Sequence, residues 1–140
     1  AKVSASDVMC SANPDGSLPQ EMSRGRLALH YQLHAIAPLT ATAALLEREG
    51  IPMRNLCDSA LTRIVNFAIE DLNDGKRTRK ITGIKQSYFD GTDNVEPFQL
   101  AWIEAYLSFT DDEKLSEMSR QLAPLSYSKL GGNQTALWGK

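Results

Sequence analysis

Asp15-Gly16-Ser17-Leu18-Pro19-Gln20-Glu21-Met22-Ser23-Arg24-Gly25-Arg26-Leu27-Ala28-Leu29-His30-Tyr31 is the stretch on which the reading of the whole chain turns. It opens in turn chemistry, Asn13-Pro14-Asp15-Gly16, and passes into helical periodicity. Leu27, Leu29, Leu33, Ile36, Leu39, Ala43 and Leu46 form a band broad enough to be buried on more than one side. A long helix is therefore expected from Ser17 towards Gly50. Ser17 or a neighbour caps it, with Gln20 in the capping-box position, and Pro19 sits in the first turn, where its missing N–H costs little. Pro38 is expected to kink or break the helix, and Gly50 with Pro52 to end it.

Residues 1–11 read as the end of a helix. A second helix is expected over 55–73, with Leu56, Leu61, Ile64, Val65, Ala68, Ile69 and Leu72 as its apolar stripe and Gly75 as its stop. Residues 74–96 are polar and irregular, and the basic run Lys76-Arg77-Thr78-Arg79-Lys80 reads as a solvated loop, with polyanion contact as the other reading. Pro97 opens a third helix over 97–108, on which Trp102 is expected in the core rather than as a sugar-stacking platform. Thr110 begins a Thr-x-x-Glu capping box with Glu113 for a helix to Leu122. The tail from Ala123, with Gly131-Gly132, lacks clear periodicity. Strand signals are few, and the fold class is all-α.

The chain has 140 residues, which suits one domain. Its 42% hydrophobic and 23% charged residues exclude a disordered polymer. With 15 basic and 17 acidic side chains, it has no general attraction for nucleic acid, and a polyanion partner requires a local basic cluster. No apolar run approaches the roughly 20 residues of a membrane span. The chain opens at Ala1-Lys2-Val3 rather than on Met, which reads as a start made by processing, cleavage or design. Cys10 and Cys57 read either as two separate buried thiols or as one disulfide tying the N-terminal segment to a later helix, and sequence alone leaves both open.

Arg24 and Tyr31 are seven residues apart, which on one helix brings them back to nearly the same face after two turns. His34 lies close to that face, and His30 is on an adjoining one. Each has a plainer reading: Arg24 solvated or paired with Glu21, Tyr31 a core tyrosine with its hydroxyl satisfied, His34 structural, His30 half-exposed. A guanidinium and a phenol in line on so apolar a segment imply that the line meets something polar.

The order Gly-x-Leu-Pro-x-Glu, then Arg24, then Ala28-Leu29-x-Tyr31 resembles the mannuronate-specific alginate lyase family, the α/α-toroid polyuronate lyases of bacteria. The similarity continues through Ala37-Pro38-Leu39, Glu49-Gly50-Ile51 and Ala60-Leu61. It resumes at Leu100-Ala101-Trp102-Ile103-Glu104-Ala105-Tyr106 and at Leu130-Gly131-Gly132, so it covers most of the chain in patches. The resemblance implies β-elimination at the 1,4-bonds of a polyuronate, by an Asn-His pair, an Arg and a Tyr. Arg24 and Tyr31 match the last two and are the expected catalytic residues. His30 stands where many members have Gln, which implies a substrate range wider than mannuronate, such as polyglucuronate or hyaluronan-like chains.

Neither histidine follows an Asn, so the Asn-His pair is expected from an N-terminal remainder. Residues 1–140 then form the C-terminal part of one incomplete (α/α) toroid. The chemistry explains the residue types. The C5 proton of a uronate is α to a carboxylate and weakly acidic, so the charge developing on its removal needs a fixed cation. A phenol beside a cation can act as general base, as general acid to the departing O4, or as both. His30, His34, Arg120 and Lys129 are candidate substrate contacts, with Tyr127 beside them. The scheme calls for no metal or organic cofactor, for an anionic polysaccharide as partner, and for neither nucleic acid nor membrane. It implies a periplasmic or secreted bacterial protein. The competing reading is a non-catalytic α-helical binding or scaffolding module that kept the fold.

Overall fold

Gly25 takes a left-handed φ of 62°, and there the expected long helix breaks. In the computed structural model, which describes residues 2–87, 100–122, 126–127 and 132–133, the chain runs through seven α-helices and one short strand pair. They are α1 (Lys2–Cys10), α2 (Pro19–Met22), a 3-10 turn (Gly25–Leu27), α3 (Ala28–Arg48), α4 (Leu56–Asp71), α5 (Lys76–Thr82), α6 (Trp102–Leu107) and α7 (Glu113–Leu122). Strands β1 (Ser126–Tyr127) and β2 (Gly132–Asn133) pair antiparallel, Ser126 opposite Asn133 and Tyr127 opposite Gly132. The class is all-α, as the apolar spacing requires.

Helix α3 is the centre, packed on α1, α2, α4 and α6. Its Leu29, Leu33, Ile36 and Ala37 meet Leu61, Ile64, Val65 and Ala68 of α4 and Trp102, Ile103 and Tyr106 of α6 in one buried cluster. Each large apolar side chain so buried contributes about 1.5–3 kcal/mol. Trp102 is 1% exposed, a core residue. Pro38 does not break α3: its ring lies on the exposed side, and the helix continues to Arg48. Two turn-mates remain bonded there, because the Thr40 hydroxyl donates to the Ile36 and Ala37 carbonyls.

Several local expectations are corrected by polar groups in the turns. Ser17 does not cap a helix. Its N–H and hydroxyl both donate to the Asp15 carboxylate, and Leu18 occupies the cap position of α2 without a side-chain bond. Thr110 does not cap α7. Its hydroxyl donates back to the Tyr106 carbonyl, while the Asp112 carboxylate accepts the Leu115 N–H. The basic run is helix α5 and not loop, because Asp71 at the end of α4 accepts the N–H groups of Arg77 and Thr78 and the Thr78 hydroxyl. Those donors are orphans of a helix start, and a buried carboxylate from the preceding element satisfies them. Of the third expected helix, residues 97–99 lie outside the described residues and α6 begins at Trp102.

Between α1 and α4 the chain is knotted by three devices. Cys10 and Cys57 are disulfide-bonded with Cα atoms 5.4 Å apart. Cys57, Asp58 and Ser59 are all left-handed, with φ of 52–56°, an unfavourable conformation for residues with a Cβ. Arg63 holds that turn by donating to the Cys57 and Asp58 carbonyls at 2.8 and 3.2 Å, and it reaches Asn13 O at 2.7 Å. Gly16 crosses α4 so closely, at φ 94°, that a Cβ there would collide with the Arg63 carbonyl.

The two cysteines are 47 residues apart and exposed, so reduction is accessible and opens a long loop in the unfolded chain. The chain-entropy relation puts the loss at about 4 kcal/mol. Urea denaturation of the full-length protein with and without a phosphine reductant is expected to show a lower midpoint in the reduced sample. Coincident curves would mean that the bond adds no stability.

Candidate functional site

The break at Gly25 positions the site. Arg24 precedes it, in the turn after α2, and Tyr31 follows it in the first turns of α3. The two residues do not share a helix, so the expectation of two groups in line on one helix is corrected. Their proximity survives by another route. The chain folds back at Gly25 and sets the Arg24 guanidinium 4.7 Å from the centre of the Tyr31 ring, against its face. A cation in this position is attracted by the ring quadrupole, by about 0.5–1 kcal/mol where solvent has access. The Arg24 side chain is 54% exposed and also lies 3.8 Å from Glu21, so the plain ion-pair reading and the pairing with Tyr31 hold together.

His30 and His34 complete the group. Their rings meet edge to face with centroids 4.5 Å apart, and the Tyr31 ring centre lies 5.4 Å from His30 and 6.0 Å from His34. Burial pushes the His30 imidazole below its ordinary value, and the neighbouring charge of His34 pushes it further. Neutral His30 therefore sits beside an exposed guanidinium, a half-buried phenol and an exposed second imidazole. That set can hold a carboxylate, place a proton acceptor and donate hydrogen bonds to sugar hydroxyls.

Two buried carboxamides hold this segment, and the sequence reading did not single them out. Gln32, fully buried, accepts the Leu18 N–H at 3.1 Å and donates to the carbonyls of Gly16 at 3.1 Å and Ile64 at 3.3 Å. Gln86, 3% exposed, accepts the Leu29 N–H at 3.0 Å and donates to the carbonyls of Gly25 at 3.0 Å and Ile84 at 3.1 Å. Gln32 had a signal, since it interrupts the apolar face between Leu29 and Leu33. Gln86 had none. It lies 57 residues beyond its partner Leu29.

The remaining candidates are placed elsewhere. Arg120 pairs with Glu117 at 2.6 Å on α7 and borders a depression lined by Asp111, Asp112, Glu113 and Glu117, an acidic setting for a residue meant to meet a polyanion. Lys129 lies outside the described residues, as does the Tyr127 side chain. On α5, Arg77 is taken by Glu70 at 2.6 Å and by the Phe67 ring, whereas Arg79 and Lys80 are exposed. Among the described residues no three of His, Cys, Asp and Glu gather as a metal-binding set.

A family model described as alginate lyase matches residues 5–78, from α1 into α5 and across the whole Arg24–His34 group. The chain belongs to the alginate lyase family. Among curated relatives, an alginate lyase of Cobetia marina is 30% identical over 89% of this chain and 33% of its own length. An alginate lyase of Pseudomonas syringae pv. syringae (strain B728a) is 30% identical over 98% of this chain and 35% of its own. A polysaccharide lyase of Stenotrophomonas maltophilia (strain K279a) is 32% identical over 88% of this chain and 35% of its own. The chain thus spans about a third of the length of the curated relatives it matches.

The His30 shift has a sign that can be tested. The folded protein binds this proton more weakly than the unfolded chain, whose value is near 6.5. The stability carried by neutral His30 is present above that value and is lost as pH falls below it towards the folded value. His30→Gln is expected to flatten the decline of Tm as pH falls below about 6.5, read by thermal melts of the full-length protein. An undiminished decline would assign the pH dependence to other groups.

Proposed function

We propose that the protein of which this chain is a part cleaves the 1,4-glycosidic bonds of alginate or a related polyuronate by β-elimination, with Tyr31 and Arg24 as catalytic residues. The observation that carries this reading is the guanidinium of Arg24 lying 4.7 Å over the Tyr31 ring, at an accessible surface, within the stretch that the family model matches.

In the step itself, an oxygen base takes the C5 proton, the electron pair of that C–H bond forms the C4=C5 double bond, and the C4–O4 bond breaks. O4 leaves with a proton, and the new non-reducing end is an unsaturated uronate. Tyr31 is the group that accepts from C5, delivers to O4, or does both in turn. Arg24 supplies fixed positive charge for the carboxylate on which negative charge develops, without reorganising solvent at that moment. His30 and His34 flank the phenol and contact the sugar. We infer that an Asn-His pair completing carboxylate neutralisation comes from an N-terminal remainder, with this chain as the C-terminal portion of one α/α-toroid domain.

The partner is an anionic polysaccharide and the setting is periplasmic or secreted. The Cys10–Cys57 disulfide supports that setting, since such bonds persist in oxidising compartments. Among the described residues no helix is long and apolar enough to cross a membrane.

Tyr31→Phe in the full-length protein keeps the ring and the Arg24 contact and removes only the proton-carrying oxygen. With polymannuronate, polyguluronate, polyglucuronate and hyaluronan each offered, the ultraviolet absorbance of unsaturated product is expected to fall by at least about 100-fold on whichever polymer the wild type cleaves. Turnover equal to wild type would remove Tyr31 from the reaction. A wild type inert on all four polymers would favour a non-catalytic binding module.

A further inference from the structure

We propose that Gln86 is a positioning residue for the Arg24–Tyr31 pair. The proposal rests on the lyase reading above and extends it to a side chain that touches neither member of the pair.

Arg24 is followed at once by Gly25, whose left-handed φ of 62° turns the chain, and Tyr31 comes two residues after Leu29. Whatever fixes Gly25 relative to Leu29 therefore fixes the guanidinium relative to the phenol. Gln86 bonds to both. Its amide nitrogen donates to the Gly25 carbonyl at 3.0 Å, and its carbonyl oxygen accepts the Leu29 N–H at 3.0 Å. The Leu29 N–H belongs to the first turn of α3, where no carbonyl of the helix can accept it. The carboxamide thus acts as a cap supplied from a distant part of the chain.

The clamp is itself held. Gln86 also donates to the Ile84 carbonyl, the Ser87 N–H donates to the Arg26 carbonyl at 2.8 Å, and the Arg26 guanidinium donates to the Ser87 hydroxyl at 3.0 Å. Segment 84–87 therefore runs beside residues 25–29 and is joined to them by four hydrogen bonds, at Gly25, Arg26 and Leu29. At 3% exposure Gln86 has no ready replacement by water, so loss of the carboxamide frees the turn instead of rehydrating it. A neutral amide suits this place. A carboxylate could not donate to the Gly25 and Ile84 carbonyls, and an ammonium could not accept from Leu29.

The test uses the full-length protein with isotope-labelled arginine, in wild type, Gln86→Met and Tyr31→Leu. A guanidinium over an aromatic face has its side-chain protons shifted upfield by the ring, and Tyr31→Leu marks the position without that ring. Gln86→Met is expected to move the Arg24 signals to the Tyr31→Leu position. It is also expected to lower kcat by about tenfold to a hundredfold, because a misplacement on the order of 1 Å suffices for that, while KM stays within about twofold. Should Gln86→Met not fold, Gly25→Ala disturbs the same turn from the other side. Its Cβ would lie 3.4 Å from the Ile84 Cδ1 at an unfavourable φ, and the same two readouts apply.

Arg24 signals unchanged from wild type in the folded variant would overturn the proposal, whether or not activity fell. Signals displaced with kcat unchanged would overturn it too, since the pair would then be positioned to no effect. Signals displaced in a protein whose wild type cleaves no polyuronate would uphold the clamp and sink the lyase reading instead.

Discussion

A single buried carboxamide ties together the helix that carries the site, the loop that leads into it and the helix behind both. Gln32 projects from α3 into the contact with α4, accepts from Leu18 on the approach to α2, and donates to the carbonyls of Gly16 and Ile64. It joins two helices and the loop that leads to Arg24, and it is fully buried. Each backbone group orphaned by its removal would cost about 1–3 kcal/mol. The close passage of Gly16 over α4 belongs to the same constraint, because the carboxamide reaches both segments only where they nearly touch.

From that anchor the local geometry follows. The chain leaves Gly16, makes the single turn of α2, reverses at Gly25 and enters α3 under the Gln86 clamp. Arg24 and Tyr31 are brought face to face by a break in the helix, and not by helical phase. The break leaves the guanidinium more than half exposed and free to meet a ligand from the side away from the ring. A continuous helix could have set the same residues in line, but its own backbone hydrogen bonds would have left no free polar group to clamp. Here the Gly25 and Arg26 carbonyls accept from Gln86 and Ser87 and the Leu29 N–H donates to Gln86, so the geometry of the pair depends on residues distant in sequence.

The apolar face of α4 was legible because its period and its stop at Gly75 agree, whereas the left-handed turn at Cys57, Asp58 and Ser59, inside the expected span of 55–73, carries no signal in the apolar pattern. Trp102 was legible as core for the same reason. The end of α3 at Gly50 was legible from the glycine and the proline beyond it. What could not be read was polar and non-local. The basic run 76–80 has no apolar period and looks like loop, yet Asp71 caps it into a helix. Gly25 on its own is tolerated in helices, and its left-handed φ, held by a bond from Gln86, has no signal in the local sequence. At the site, Arg24, His30 and Tyr31 lie within one motif and His34 three residues beyond it, and all four converge, although Arg24 and Tyr31 do not share a helix face. The disulfide was left open because only the 5.4 Å approach of two Cα atoms decides it.

The account stands or falls on whether the Arg24–Tyr31 pair faces a sugar acid. The most direct measurement is a crystal structure of the full-length Tyr31→Phe protein soaked with an oligouronate of the polymer that the wild type cleaves. The account predicts a uronate carboxylate within reach of the Arg24 guanidinium and the C5–H of that ring pointing at the edge of residue 31, within about 3–4 Å. An oligosaccharide bound in a different cleft, with the guanidinium of Arg24 still turned to Glu21 and the ring of residue 31 untouched, would contradict it.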